Sequence, residues 1–247
     1  MKRAFILAIV VLSACGPITS NSTGAAPTAT ASPIALLPSG QAATPDQASM
    51  AKQAVEAALM QIRQGQGVSL TGDSYLDSEG ADIPAHLTGV VAPNGGMDLF
   101  ISVPFSQGTD IFEVRSLAGH EYTWDPSSSS WNAAILGESA ASGISAVNPL
   151  LMNYPTLMNV GNVRVAPDDV VNGTSAAVYE VTVTSSDQND QVTTRLWLAK
   201  DSGALIQEGV NLSSQTELPG GLGFNGILMV QFLPSPSPVS VSAPLVG

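Results

Sequence analysis

The sequence predicts a mainly β fold of the α+β class, built on one antiparallel sheet, and three observations support this. First, apolar Tyr179, Val181 and Val183 alternate with polar residues, which is the pattern of a half-buried strand. Second, the similar stretches 192–199 and 205–212 follow after short polar turns, and such short connections suit antiparallel neighbours. Third, turn-forming residues separate further apolar stretches along the chain, which contains 23 Gly and 17 Pro.

Composition limits the possible class and partners. With 247 residues, 44% hydrophobic and 11% charged, the chain is long enough for one folded domain with a sizeable core. The formal net charge is −12, and without Lys2 and Arg3 six basic and twenty acidic side chains remain, a net of −14. Such an acidic surface disfavours nucleic acid and anionic membrane surfaces as partners. We expect a monomer without a cofactor.

The N-terminus resembles a bacterial lipoprotein signal. Lys2 and Arg3 precede an apolar run over 4–12, which is far shorter than the ~20 residues of a membrane-spanning helix. The following Leu-Ser-Ala-Cys-Gly is similar to a lipobox, so we expect residues 1–14 to be removed and Cys15 to be lipidated. The alternative is an ordinary signal peptide with a chance cysteine. Lipidation predicts an extracytoplasmic protein anchored to a bacterial cell membrane through acyl chains, each buried CH₂ contributing about 0.8 kcal/mol.

A change in composition marks the start of the folded domain. Residues 15–44 are rich in Ala, Thr, Ser and Pro and contain no charged side chain, so we expect a disordered tether. Thr44, Pro45 and Gln47 then form a helix start with an N-cap, a proline in the first turn and a capping-box glutamine. Gly65 and Gly67 end this predicted helix. Its apolar face is formed by Ala51, Val55, Ala58, Leu59 and Ile62.

The rest of the predicted 45–247 domain is a succession of strands. They are placed at 68–76, 85–91, 97–105, 109–117, 120–124, from Trp131, at 177–184, 192–199, 205–212 and 224–232. Turns are expected at 77–80, 93–96 and 200–203, and a short apolar helix at 150–157.

Motifs that carry chemistry are weak in this sequence. Residues 221–226 match G-x-G-x-x-G but no helix or later acid follows, so nucleotide binding is not expected. His86 and His120 are interpreted as surface or turn residues, and the four acids between 73 and 82 as a solvated loop rather than a calcium site. No catalytic set can be assembled, so we expect no enzyme; the rival hypothesis is a hydrolase with a carboxylate pair from separate loops. Trp124, Trp131 and Trp197 are expected to pack in the core or at its rim.

Two short motifs resemble the LolA/LppX/LprG-like lipoproteins. One is Val170-Val171-Asn172-Gly173 leading to Val178-Tyr179-Glu180-Val181, and the other is Arg195-Leu196-Trp197-Leu198 followed by Asp201-Ser202-Gly203. Ala199 or Lys200 stands where an acid is common in that group. Over residues 45–245, the resemblance implies a single curved antiparallel sheet, or half-barrel, with helices on the concave face and an apolar cavity for acyl chains. It brings no catalytic residues.

The sequence thus predicts binding of an acyl-bearing lipid or lipoprotein, possible transport across the envelope, and a candidate lining. The candidate lining residues are Leu99, Ile101, Val103, Tyr179, Val181, Val183, Leu196 and Leu198. This assignment depends on register, because a shift by one residue exchanges the two faces of a strand. The alternative is a closed core without a lipid ligand, in an envelope scaffold or an accessory or sensor lipoprotein.

Overall fold

The structure is a computed structural model that describes residues 40–78, 81–105, 108–125, 128–135, 148–151, 154–184, 190–214 and 225–246. The predicted signal segment, Cys15 and most of the predicted tether therefore lie outside the described residues. The described chain is already ordered before the expected domain boundary at residue 45. Gln41 and Ala42 pair as a short strand with Val165 and Arg164, and Ala43 is buried.

Two helices and twelve strands make up the described part of the chain. The helices are α1 (Pro45–Gln64) and α2 (Tyr154–Leu157). The strands are β1 (Gln41–Ala42), β2 (Val68–Ser78), β3 (Ala81–Val91), β4 (Met97–Phe105), β5 (Gly108–Leu117), β6 (His120–Asp125), β7 (Ser130–Ile135), β8 (Val163–Val171), β9 (Thr174–Thr184), β10 (Asp190–Ala199), β11 (Leu205–Ser214) and β12 (Asn225–Pro234).

All twelve strands join one sheet in the order β1-β8-β9-β10-β11-β12-β2-β3-β4-β5-β6-β7. The meander β2–β7 and the meander β8–β12 are joined where β12 pairs antiparallel with β2. A Cβ at Gly72 would lie 2.3 Å from the Met229 carbonyl oxygen, and one at Gly89 would lie 2.3 Å from that of Asp98. Glycine therefore allows the close strand approach that accompanies bending of a sheet. The predicted mainly β fold, an open curved sheet with few helices, is confirmed.

Helix α1 forms as the sequence predicts. The Thr44 hydroxyl accepts a hydrogen bond from the Gln47 amide at 3.3 Å, and the Gln47 side chain accepts one from the Thr44 amide at 3.0 Å. This reciprocal capping satisfies two backbone donors that a helix leaves unpaired. The five apolar residues predicted for one face are all buried, together with Ala48.

The helices define two faces of the sheet. We call the face that packs against α1 the inner face; Leu196 and Leu198 of β10 lie there in the large core cluster. Trp197, between them, points to the opposite, outer face and belongs to a second cluster with Ala166, Val171, Ala176 and Val178. The Trp197 indole N–H donates to Asp169 Oδ2 at 3.0 Å. This confirms that Trp197 packs in a core.

Three local predictions are corrected. Of the turn expected at 77–80, Asp77 and Ser78 belong to β2, and residues 79 and 80 lie outside the described residues. Of the helix expected at 150–157, Leu150 and Leu151 lie in a turn, in which the Asn148 side chain accepts a hydrogen bond from the Leu150 amide. Residues 154–157 form α2, and residues 152 and 153 lie outside the described residues. Strand β8 was not predicted, because its register shifts between Ala166 and Asp169, where Pro167 and Asp168 interrupt the alternation.

Candidate functional site: an apolar interior and the buried Glu208

The structure brings most of the predicted lining residues together on the inner face. Those placed in the large core cluster are Leu99, Ile101, Val103, Val181, Leu196 and Leu198. Tyr179 is half-buried and packs against the same cluster, while the side chain of Val183 lies outside the described residues. The residues therefore share one face, and their contact with a ligand stays a prediction.

Burial varies across this interior. Leu99, Val181 and Leu196 are 0% exposed, whereas Ile101 and Val103 of the same sheet face retain 8% and 7%. A row of inner-face residues at the level of Val103 has a similar small exposure. This rim row consists of Leu228, Ser74, Ala85 and Val103, from β12, β2, β3 and β4. The exposed fractions in the rim row are 4–8%, against 0% at Leu99, Val181 and Leu196, and two of its side chains are small.

Helix α1 lies mainly over one of the two meanders. Its principal packing partners are α2 and the strands β8, β10 and β11. The apolar inner face continues beyond them onto the other meander, where Leu87 and Ile101 are register partners on β3 and β4. The apolar face is thus wider than the part against which α1 mainly packs.

Two buried acids have the phase of the inner face, Glu121 of β6 and Glu208 of β11, and Glu208 lies between apolar register partners. Glu208 of β11 has no exposed surface, and its register partners are Leu196 on β10 and Val230 on β12. The Tyr154 hydroxyl, on α2, donates a hydrogen bond to Glu208 Oε1. Within the described part of the chain, Glu208 Oε2 has no hydrogen-bond partner. The acid therefore joins α2 to the sheet with half of its carboxyl group unpaired.

Burial determines the charge state of this pair. It raises the pKa of Glu208 to about 8, although the hydrogen bond from Tyr154 acts in the opposite direction. Burial, and then the neighbouring Glu208, hold the pKa of Tyr154 well above its usual value, while a hydrogen bond with Thr194 lowers it. At neutral pH the carboxyl group is therefore mainly protonated, and the interior contains a neutral carboxylic acid.

Sequence reasoning missed Glu208 and Tyr154. Counting every second residue from Leu205 places Gln207, not Glu208, on the inner face. In the structure Ile206 is an extra residue between the pairs Leu198–Leu205 and Trp197–Gln207, so the phase of β11 changes there. The available signal was that Glu208 is in phase with apolar Val210 and Leu212.

The outer face carries a different polar group. The His86 Nδ1 atom lies 2.9 Å from Asp73 Oδ1, and Ser102 is the register partner of His86 on the next strand. These three residues line a cavity of about 290 Å³ together with Ser74, Pro84, Ala85, Pro104 and Thr109. Asp73 lies in β2, and the backbones of Asp77 and Asp82 pair between β2 and β3. Three of the four acids expected in one loop therefore belong to strands, and Glu79 lies outside the described residues.

The Asp73, His86 and Ser102 side chains are of the types found in hydrolase triads, but their arrangement is incomplete. His86 and Asp73 are more than half exposed, and no hydrogen bond joins His86 to Ser102 in the described structure. Among the described residues, no group of three or more His, Cys, Asp or Glu is placed to hold a metal ion. No helix in those residues is long and apolar enough to cross a membrane.

Comparison with known proteins gives structural similarities only. No family model matches the chain, and no curated protein matches its sequence. The chain is similar to LprF from Mycobacterium bovis, with 11% identity, 81% of this chain and 98% of that chain covered, and a TM-score of 0.37. It is also similar to a LolA superfamily protein from Nitrosomonas europaea, with 11% identity, coverage of 74% and 91%, and a TM-score of 0.33.

A third similar structure is the MucA/MucB complex of Pseudomonas aeruginosa, with 13% identity, coverage of 77% of this chain and 59% of that chain, and a TM-score of 0.38. One of these matched structures, the LolA superfamily protein, belongs by its name to the group that the two sequence motifs resemble. With TM-scores below 0.5, these similarities do not bear on function. The structure itself defines a mainly β protein whose single open sheet has an apolar inner face packed against helices.

Proposed function

We propose that this chain is an extracytoplasmic lipoprotein, anchored through Cys15, that binds an acyl-bearing lipid or lipoprotein on the inner face of its sheet. The observation that carries the proposal is the width of the apolar inner face, which extends from the region under α1 to Ile101 and Val103. The rim row, with small Ser74 and Ala85, offers the place at which an acyl chain would enter.

The apolar surface is sufficient for such binding. Each buried CH₂ group contributes about 0.8 kcal/mol, so about fifteen of them, as in a palmitoyl chain, give about 12 kcal/mol. Association costs about 4 kcal/mol at the low end of its range, which leaves about 8 kcal/mol, a micromolar affinity. A chain held between the rim row and Ile101 therefore needs no charged contact to bind.

The proposal is tested with the Cys15→Ser chain, exported without lipid, so that no attached acyl group occupies the site. Native mass spectrometry and lipid extraction should find a co-purified acyl species, and a fluorescent fatty-acyl probe should bind. Ile101→Trp should weaken probe binding, because the added ring fills the inner face. Phe100→Trp, a change in the neighbouring and 39% exposed position of β4, is the matched control. Absence of both retained lipid and probe binding would overturn the proposal.

Anchoring needs a separate measurement, because Cys15 lies outside the described residues. The intact mass of protein extracted from membranes should correspond to a chain that begins at Cys15 and carries acyl groups. The Cys15→Ser chain should lack that mass increment and leave the membrane fraction. An unmodified Cys15 in the wild type would contradict the proposal.

A second candidate is an envelope scaffold or an accessory or sensor lipoprotein with a closed core. The full burial of Leu99, Val181 and Leu196 favours it, because side chains without accessible surface leave no room for a ligand beside them. In that case Ile101→Trp lowers stability, and the probe binds to neither the wild type nor the variants. We propose no catalytic activity for either candidate.

A further inference from the structure

We propose that Glu208 is the polar contact of the bound acyl molecule, and that its Oε2 side donates a hydrogen bond to the carbonyl oxygen of an ester or amide. This inference rests on the proposed function. It adds a specific ligand chemistry, a neutral acyl carbonyl, to a site that is otherwise apolar.

The first argument is the position of the acid. Glu208 lies on the inner face between Leu196 and Val230, which are both 0% exposed. Strand β11 presents it there because Ile206 is an extra residue that shifts the phase of the strand. Bulges that redirect a side chain are found more often than average next to functional sites.

The second argument is that one oxygen of the Glu208 carboxyl group lacks a hydrogen-bond partner among the described residues. A buried carboxyl group is costly unless both of its oxygens are paired, and an apolar side chain of similar volume avoids that cost. Tyr154 pairs Oε1, whereas Oε2 has no partner among the described residues. The carboxyl group can therefore form one further hydrogen bond, at Oε2.

The third argument is the chemistry of that partner. Because burial keeps the carboxyl group protonated, and Tyr154 donates to Oε1, the remaining acid proton is available at Oε2. The influences on the Glu208 pKa are burial and Tyr154, with no cationic side chain among them. Such a site favours an uncharged acceptor oxygen over a phosphate, which would need a cation.

The contact requires the packing over β11 to open. Glu208 has no exposed surface, α1 packs against β11, and the buried Tyr154 of α2 donates to Glu208 Oε1. The carbonyl group therefore reaches Oε2 only when this packing opens while the Tyr154 hydrogen bond to Oε1 stays in place.

The experiment compares two probes of equal chain length, methyl palmitate and hexadecane, with the unlipidated Cys15→Ser chain. The wild-type site should bind the ester about tenfold more tightly than the alkane, the effect of one hydrogen bond. In Glu208→Leu that ratio should fall to about one while alkane binding remains. Glu208→Gln should keep part of the ratio, because its amide N–H can donate. Glu180→Gln, a buried acid on the outer face, should leave the ratio unchanged.

The outcomes separate the two proposals. If both probes bind with the same ratio in the wild type and Glu208→Leu, the Glu208 inference is overturned and the proposed function stands. If neither probe binds to the wild type, the proposed function is overturned. Circular dichroism checks folding, and if Glu208→Leu does not fold, the infrared carbonyl band of ¹³C-labelled ester decides. That band should shift to lower frequency in the wild-type complex, and an unshifted band overturns the inference.

Discussion

The buried glutamates Glu180 and Glu208, on opposite faces of the sheet, have opposite surroundings. Glu180 of β9 faces the outer side, where Arg195, its register partner on β10, donates a hydrogen bond at 2.7 Å and lies over the ring of Trp197. Glu208 faces the inner side, where its hydrogen bond comes from the phenol of Tyr154. Glu180 is thus compensated by a cation, whereas Glu208 is buried beside an uncharged donor.

The largest expected effect is a dependence of stability on pH that comes from Glu208. Its pKa is about 8 in the folded chain and near the ordinary 4.5 when unfolded, so the folded state binds more protons between these values. Its contribution to stability is therefore fully present below pH 4.5 and is lost as the pH rises to 8. The loss is on the order of 5 kcal/mol at most. Urea unfolding at pH 5, 6.5 and 8 measures it.

The control for this prediction is Glu208→Gln, which has similar volume and no titrating proton. Its unfolding free energy should change much less between pH 5 and 8, and the change that remains gives the contribution of the other acids. Glu180→Gln should keep the full wild-type decrease. Equal decreases in the wild type and Glu208→Gln would show that Glu208 is not neutral in the folded chain.

The sequence was sufficient to predict features that depend on local patterns. The period of two placed Leu99, Val181 and Leu196 on one face, and the Thr44 capping box placed the start of α1, because both signals act over a few residues. Strand β8 and the inner position of Glu208 were missed, since each depends on a bulge whose extra residues shift the alternation. The partner of Glu208 lies 54 residues away in sequence, and only tertiary packing brings it there.

The inner face should also be sensitive to loss of volume. Leu196→Ala removes atoms from a position with no exposed surface and should lower the free energy of unfolding by about 2–5 kcal/mol. Ile111→Ala, on β5, removes a side chain that is 59% exposed and should change it by less than about 0.5 kcal/mol. Chemical denaturation of both variants measures the difference. Similar small losses would indicate that the interior around Leu196 is loosely packed.

The second cluster provides a smaller test on the outer face. Trp197→Phe keeps an aromatic ring but removes the N–H that donates to Asp169, so we expect a loss of about 1–2 kcal/mol. Trp131→Phe is the control, because Trp131 is half-buried and packs against Trp124 and Arg115 at the surface. Denaturation midpoints should rank the wild type highest, Trp131→Phe next and Trp197→Phe lowest. The reverse order would mean that the bond to Asp169 contributes little.

The smallest effect is expected at the exposed pair of Asp73 and His86. An ion pair with both side chains more than half exposed contributes about 0–1 kcal/mol, so His86→Asn should leave the unfolding free energy nearly unchanged. The same residues test the absence of catalysis, because Asp73, His86 and Ser102 line one cavity. Esterase and peptidase assays of the wild type should show no turnover above background, and Ser102→Ala should be indistinguishable from it. Turnover that disappears in both Ser102→Ala and His86→Asn would assign a hydrolase site to the outer face, separate from Glu208 and the apolar interior.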